Sequence, residues 1–173
     1  VSTVRIPKVK VHGARLFVKS NGTTDFTYGG IKNVDVLELA QRNYNEGGYI
    51  CSTRGIAVYA DKYMKIDVQK RANYIKSSTG HSIYCNTTAS LEIEGHIVDN
   101  EIPTLYVQQS SNVSYGAIMT SGNVMFKTLS AYLSGDKYAL SGSGKNTIAF
   151  ASNMQSHSLK ATANSSDCDA IIN

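Results

Sequence analysis

Short apolar segments alternate along this chain with turns rich in Ser, Thr, Asn and Gly. A small-residue turn followed by a short apolar strand recurs at residues 52–58, 77–83, 120–126 and 141–148. The first residues are 25 (77 minus 52), 43 (120 minus 77) and 21 (141 minus 120) positions apart, and we interpret 43 as about two periods. A self-similar period of roughly 20 to 50 residues is typical of solenoids, in which neighbouring coils bury apolar surface that one coil cannot bury alone.

From residue 49 onward the pattern predicts strand and turn. Short β-prone segments occupy residues 56–59, 64–68, 82–85, 91–94, 104–107, 117–119, 124–126, 138–140, 147–150 and 158–161. Pro7 and Pro103 lie beside such segments rather than inside them, where a missing N–H would interrupt a hydrogen-bond ladder. The chain is therefore predicted to be all-β over residues 49–165.

The first 45 residues predict two further units. Residues 1–31 are typical of two or three short strands. Residues 33–45 favour a short helix, because Val34, Leu37 and Ala40 follow helical spacing and Asn33 is an acceptable N-cap. The same residues also fit strand alternation in part. A helix here would cover the end of a solenoid's apolar column, which needs a cap to stay in solution.

Two architectures fit this pattern. We favour a parallel β-helix, because the recurring turns place Ser, Thr, Asn and Gly at corners between short apolar strands. The alternative is an antiparallel β-sandwich or jelly roll, which expects turn signals every 8 to 12 residues. Either way, 173 residues without a linker predict a single domain over residues 1–173.

Composition limits the classes of protein to which this chain can belong. Charged residues make up 17%, below the roughly 25% of ordinary soluble domains, so polarity is carried mostly by uncharged groups. No stretch approaches the roughly 18 consecutive apolar residues that span a bilayer, so we expect no membrane insertion. The chain starts at Val1 without a leader pattern, and we expect it to have been processed or cut from a longer chain.

Positive charge is concentrated at the start of the chain. Five cations precede the first acid, Asp25: Arg5, Lys8, Lys10, Arg15 and Lys19. Over residues 9–12 the charges alternate with apolar residues, as on the solvated face of a strand. No aromatic side chain interleaves with them before Phe17, so we do not expect nucleic acid as a partner.

The densest group of ionisable side chains lies at residues 91–97. A strand here would place Glu92, Glu94 and His96 on one face, and Asp99 follows shortly after. A carboxylate pair at about 5 to 9.5 Å is the spacing of a glycoside hydrolase, which makes Glu92, Glu94 and Asp99 the candidate catalytic residues. A solvated strand face is the simpler interpretation. Adjacent positions on a flat strand rarely converge on one ion, so we predict no metal and no cofactor.

Tyrosine is abundant, with eleven residues and no tryptophan. A Tyr side chain combines a flat apolar ring with a hydroxyl and is suited to recognition of sugars or proteins. Tyr59, Tyr84, Tyr106 and Tyr138 lie in predicted strands, where partial burial is the ordinary explanation. Only an exposed cluster of tyrosines would favour recognition.

Residues 49–165 resemble the parallel β-helical parts of bacteriophage tail spikes, tail fibres and bacterial surface adhesins. The resemblance lies in Ser/Thr/Asn/Gly-rich coils with short apolar strands, and no family motif accompanies it. It implies a virion or extracellular, cell-surface location, assembly into a homotrimer, and contact with a receptor or glycan.

The functional hypotheses follow from that resemblance. We favour a structural and attachment module that is not an enzyme. One alternative is a polysaccharide-degrading glycoside hydrolase or lyase on the same scaffold, using Glu92, Glu94 and Asp99. Another is a β-sandwich subunit of a virion or pilus, with residues 1–19 in assembly contacts.

Overall fold

The computed structural model describes residues 5–13, 15–18, 30–40, 47–53, 55–70, 72–110, 114–142, 148–150 and 159–163. Within these ranges the chain forms sixteen β-strands and no helix. The strands are β1 (Ile6–His12), β2 (Arg15–Val18), β3 (Val34–Ala40), β4 (Tyr49–Ser52), β5 (Val58–Ala60), β6 (Tyr63–Gln69), β7 (Ala72–Ser77), β8 (Ile83–Cys85), β9 (Ser90–His96), β10 (Thr104–Gln109), β11 (Ile118–Thr120), β12 (Asn123–Lys127), β13 (Ser130–Gly135), β14 (Leu140–Gly142), β15 (Ile148–Phe150) and β16 (Leu159–Ala163).

The strands form three sheets, and all neighbouring strands are parallel. The first sheet holds β1, β3, β6, β9, β12 and β15 in that order, the second holds β2, β4, β7, β10, β13 and β16, and the third holds β5, β8, β11 and β14. From β3 onward, successive strands enter the first, second and third sheets in rotation. The chain therefore winds as a parallel β-solenoid of about four turns.

We number the coils in which the structure describes one strand of each sheet. Coil 1 is β3 to β5, coil 2 is β6 to β8, coil 3 is β9 to β11 and coil 4 is β12 to β14. The first corner lies between the first and second sheets, the second corner between the second and third, and the third corner before the next coil. The predicted parallel β-helix is confirmed, and the antiparallel sandwich is wrong because the strand pairs are parallel.

The predicted helix at residues 33–45 is wrong where the structure describes it. Residues 34–40 are strand β3, with Leu37 and Leu39 fully buried. Strand β3 has β1 on one side and β6 on the other, so both edges of its backbone are hydrogen-bonded. Tertiary pairing thus overrides a short helical spacing. Residues 41–45 lie outside the described residues.

The recurring turns occupy two different corners. Residues 52–58 and 77–83 lead from the second sheet to the third, in coils 1 and 2. Residues 120–126 run from the end of β11 across the third corner into β12, and residues 141–142 are the end of β14, the third-sheet strand of coil 4, while residues 143–147 lie outside the described residues. The interval of 43 therefore does not contain two coils, and interpreting it as two periods is wrong. Small residues recur because both corners need them.

The apolar core is a column of side chains stacked from coil to coil. On the third sheet, Val58, Ile83, Ile118 and Leu140 stand in register, and each has no exposed surface. Leu91, Val124 and Met64 form an equivalent row on the first sheet. Full burial of an aliphatic side chain stabilises a fold by about 1.5–3 kcal/mol, so this column holds the coils together.

The first corner has a common backbone conformation. Positive φ angles occur there at Gly13 (55°), Lys70 (42°), Asp99 (55°), Asn100 (61°) and Thr128 (53°). A left-handed residue redirects the chain from one sheet to the next within a few positions. Glycine adopts this conformation freely, and Asn and Asp tolerate it, but Lys and Thr do so at a cost.

Candidate functional site

Two outer faces of the solenoid concentrate the chemically distinctive side chains. The charged face consists of the outward residues of β1, β3, β6, β9 and β12 in the first sheet. The tyrosine face consists of the outward residues of β4, β7, β10 and β13 in the second sheet. The predicted catalytic residues lie on or beside the charged face.

Strand β9 presents the residues that its alternation predicts. Leu91 and Ile93 are fully buried, whereas Glu92, Glu94 and His96 lie on the outer surface. The two glutamates therefore share one face and belong to the same strand.

Each of these glutamates has a lysine partner on a neighbouring strand. Glu92 is 2.9 Å from Nζ of Lys127 on β12, and Glu94 pairs with Lys65 on β6. The hydrogen bond from Lys65 holds the pKa of Glu94 below its ordinary value. A glycosidase acid needs a raised pKa to keep its proton near neutral pH. Glu94 is thus suited to an ion pair and poorly suited to acid catalysis.

Asp99 is not on this face. It lies in the turn after β9, its side chain is 78% exposed, and its carboxylate is 3.0 Å from Nζ of Lys70 across the first corner. The structure therefore brings Glu92 and Glu94 together on one strand and places Asp99 beyond the end of it.

Two further carboxylates join this face from strands far away in sequence. Glu38 on β3, Asp67 on β6 and Glu94 on β9 stand in register on adjacent strands, about 4.8 Å apart by strand spacing. Burial raises the pKa of Glu38, but hydrogen bonds from Lys8 and His12 outweigh burial and leave it below its ordinary value.

Asp67 is largely buried, and its Oδ1 lies 2.5 Å from Nε2 of His96, although without the geometry of a hydrogen bond. The cations sit diagonally across from the carboxylates, so the charged face is a lattice of compensated charges. Among the described residues, no group of three or more His, Cys, Asp and Glu side chains is arranged to hold a metal ion.

The tyrosine face carries one tyrosine from each coil. Tyr49, Tyr74, Tyr106 and Tyr132 stand in register on β4, β7, β10 and β13. The ring centroids are 5.8 Å apart for Tyr49 and Tyr74, 4.8 Å for Tyr74 and Tyr106, and 5.0 Å for Tyr106 and Tyr132. The last two pairs are stacked, at interplanar angles of 11° and 17°. This row, the tyrosine ladder, runs along the solenoid axis.

The ladder lies on an almost uncharged surface. The outward neighbours of the tyrosines on β4, β7, β10 and β13 are Cys51, Ala72, Lys76, Thr104, Gln108, Ser130 and Ser134. In this described part of the sheet, Lys76 is the one ionisable cation. Hydroxyls and amides therefore dominate the surface around the rings, in contrast to the charged face.

A third aromatic group closes the second corner. His81 is buried between the rings of Tyr115 and Tyr138, with centroids 5.2 and 5.8 Å away. The backbone N–H of Gly116 donates to its Nδ1 at 3.2 Å. Burial lowers the pKa of His81 to about 4, so the imidazole is neutral near neutral pH. It acts as a hydrogen-bond acceptor within the fold.

The tyrosine ladder could not be predicted from the sequence, because its residues are unequally spaced. Its members are 25, 32 and 26 residues apart (74 minus 49, 106 minus 74, 132 minus 106), so no constant period identifies them. Of the four ladder residues, only Tyr106 is among the tyrosines named above in predicted strands. The clustering of these four partly exposed rings is visible only once the register of the second sheet is known.

Comparison with known proteins identifies no relative, so a proposal about function depends on the fold and on these two faces. No protein-family model matches the chain, and neither a curated protein nor a solved structure matches it. Within the described ranges there is no helix long and apolar enough to cross a membrane.

Proposed function

We propose that this chain is a structural and attachment module of a phage tail spike or tail fibre, or of a surface adhesin. In this proposal it acts as a homotrimer on a virion or cell surface, and it binds a cell-surface receptor or glycan. The solenoid supports the structural part of the proposal, because parallel coils stacked on a continuous core make a rigid element.

The tyrosine ladder is the observation that carries the attachment role. The four rings are partly exposed and form a continuous aromatic row along the second sheet, and tyrosine, with an apolar ring and a hydroxyl, is enriched at interfaces. Tyrosine provides both contact area and a hydroxyl at little cost in conformational entropy. The ladder therefore supports a binding surface on the second sheet.

Weak single contacts would be sufficient in this arrangement. When several copies of a binding surface are joined in one particle, the later contacts form within the same assembly, and avidity exceeds the affinity of a single contact by a factor of roughly 10² to 10⁴. An attachment module of this kind needs no deep pocket.

The charged face gives less support to the enzyme hypothesis. Glu92 and Glu94 are engaged by Lys127 and Lys65, and the pKa of Glu94 is lowered rather than raised. We therefore assign these glutamates to stabilising ion pairs between neighbouring coils.

A glycan array combined with whole-cell binding tests this proposal. The double variant Tyr74→Ala/Tyr106→Ala should reduce binding at least about tenfold, since aromatic anchors contribute 1.4 kcal/mol or more at interfaces. Tyr63→Ala is the matched control, because Tyr63 is 51% exposed on the first sheet, away from the ladder.

Retention of full binding by the double variant would refute the attachment role of the ladder. Light scattering on the same samples tests assembly, with a mass three times the 18.7 kDa of one chain expected. A monomer would remove the avidity argument.

A further inference from the structure

The tyrosine ladder offers edges and hydroxyls rather than ring faces. Tyr74, Tyr106 and Tyr132 stack nearly parallel at 4.8 and 5.0 Å, so each ring covers the face of the next. A ligand lying on this sheet therefore cannot stack on the central rings. It meets a row of ring edges and phenolic hydroxyls that repeats once per coil, at the spacing of strands in a sheet.

The groups beside the ladder select an uncharged partner. Thr104 and Ser130 lie on one side of the rings, and Gln108 and Ser134 lie on the other. These side chains donate and accept hydrogen bonds without carrying charge. On the strands that carry the ladder, β4, β7, β10 and β13, a polyanion would find only Lys76, whereas Arg15 on β2 and Lys160 on β16 occupy the register positions just beyond the two ends of the ladder. The surface matches a neutral ligand rich in hydroxyl groups.

The connections of coil 3 at both corners of the second sheet lie beside this surface. Coil 3 has seven residues, 97–103, at the first corner, and coil 1 has eight, 41–48, whereas coils 2 and 4 have two each, 70–71 and 128–129. Val98 and Glu101 pair through N–H to O contacts of 3.0 and 3.3 Å, forming a small exposed hairpin. At the opposite corner the same coil carries Ser114, which is exposed, and Tyr115. The tyrosine face is thus bordered by chain at both of its corners in coil 3, and a ligand on it would run along the solenoid axis.

We propose that the tyrosine face binds a linear, uncharged, β-1,4-linked polysaccharide that lies along the solenoid axis. This inference rests on the proposed attachment function and specifies its ligand. In an extended β-1,4-linked chain, each sugar advances by about one pyranose ring, which is close to the distance between neighbouring strands. One sugar therefore faces one tyrosine hydroxyl in each coil, with the flanking hydroxyl and amide groups as further partners.

Calorimetry with cello-oligosaccharides of two to six units tests the inference. Affinity should increase with length up to four units, one for each ring of the ladder, and then level off. Tyr106→Phe keeps the stacked ring and removes the central hydroxyl, so it should weaken binding of the four-unit probe about three- to tenfold. Tyr63→Phe, on the first sheet, should leave binding unchanged.

The outcomes separate this inference from the function on which it rests. Equal affinity for all lengths, or unchanged binding by Tyr106→Phe, would overturn the axial arrangement. If cello-oligosaccharides do not bind while another array ligand binds in a manner that requires Tyr74 and Tyr106, the ligand class is wrong and the attachment role stands. If no ligand depends on these tyrosines, both are wrong.

Discussion

The buried imidazole at the second corner makes the stability of the solenoid depend on pH. His81 lies among Tyr84, Tyr115 and Tyr138, and its Nδ1 accepts a hydrogen bond from the backbone N–H of Gly116. A protonated ring cannot accept at that atom, and it would bring a charge into a buried site. Burial disfavours the charged form in the folded state and is the main cause of the lowered pKa, whereas the backbone carbonyl of Gly116, 3.4 Å from Nδ1, favours the protonated ring and opposes burial in part.

The sign and size of the effect follow from the two pKa values. The pKa of His81 falls from 6.5 in the unfolded chain to about 4 in the fold, so the unfolded chain takes up the proton first as pH decreases. The free energy of unfolding therefore decreases from pH 6.5 downward and stops decreasing, for this group, near pH 4. At about 1.4 kcal/mol for each pKa unit, the total loss is about 3 kcal/mol.

Urea denaturation at a series of pH values measures this loss. His81→Asn retains an acceptor for the N–H of Gly116 but does not titrate, so its stability should be nearly constant over the interval where the wild type weakens. His96→Asn removes an imidazole from the surface and should follow the wild type. If His81→Asn and the wild type lose the same stability between pH 6.5 and pH 4, the reasoning about the buried imidazole is wrong.

Three further predictions concern the other parts of the structure. Glu92→Gln and Glu94→Gln should each change the free energy of unfolding by less than about 1 kcal/mol, as expected for partly exposed ion pairs. A reducing-end assay should show no polysaccharide cleavage by the wild type or by either variant. Cleavage by the wild type that either substitution abolishes would restore the enzyme hypothesis. Lys70→Asn places a residue that tolerates positive φ at the first corner and should raise the stability by up to about 1 kcal/mol in urea denaturation; a clear loss would contradict the assigned strain. Ile118→Ala should cost about 2–5 kcal/mol because it opens a cavity in the core column, whereas Met125→Ala, at a position 38% exposed, should cost much less; equal losses would argue against the column.

Local patterns predicted the charged face in part. The period of two along residues 91–96 correctly placed Glu92, Glu94 and His96 on one side of a strand, with Leu91 and Ile93 on the other. The partners Lys65 and Lys127 could not be predicted, because they reach the glutamates only through pairing of β9 with β6 and β12. Without them, two neighbouring carboxylates suggested catalysis, whereas the ion pairs indicate a stabilising role.

Strand β3 shows the same limitation in the backbone. Residues 33–40 carry a spacing compatible with a helix, and their extended conformation depends on strands from the coils before and after. Similarly, Lys70 and Thr128 adopt positive φ angles that their residue types do not suggest. The geometry of the corner, repeated in successive coils, imposes that conformation on them.

Local features of the sequence were enough to predict an all-β domain: short apolar strands with small polar turns, too few charges for long solvated helices, and enough apolar residues for a shared core. These are local properties, and alternation and turn chemistry express them within a few residues. Tertiary structure alone decided the register between coils, and with it the tyrosine ladder and the pairing of charges. Coils of unequal length erase any constant period, so the sequence does not show which side chains lie next to each other in adjacent coils.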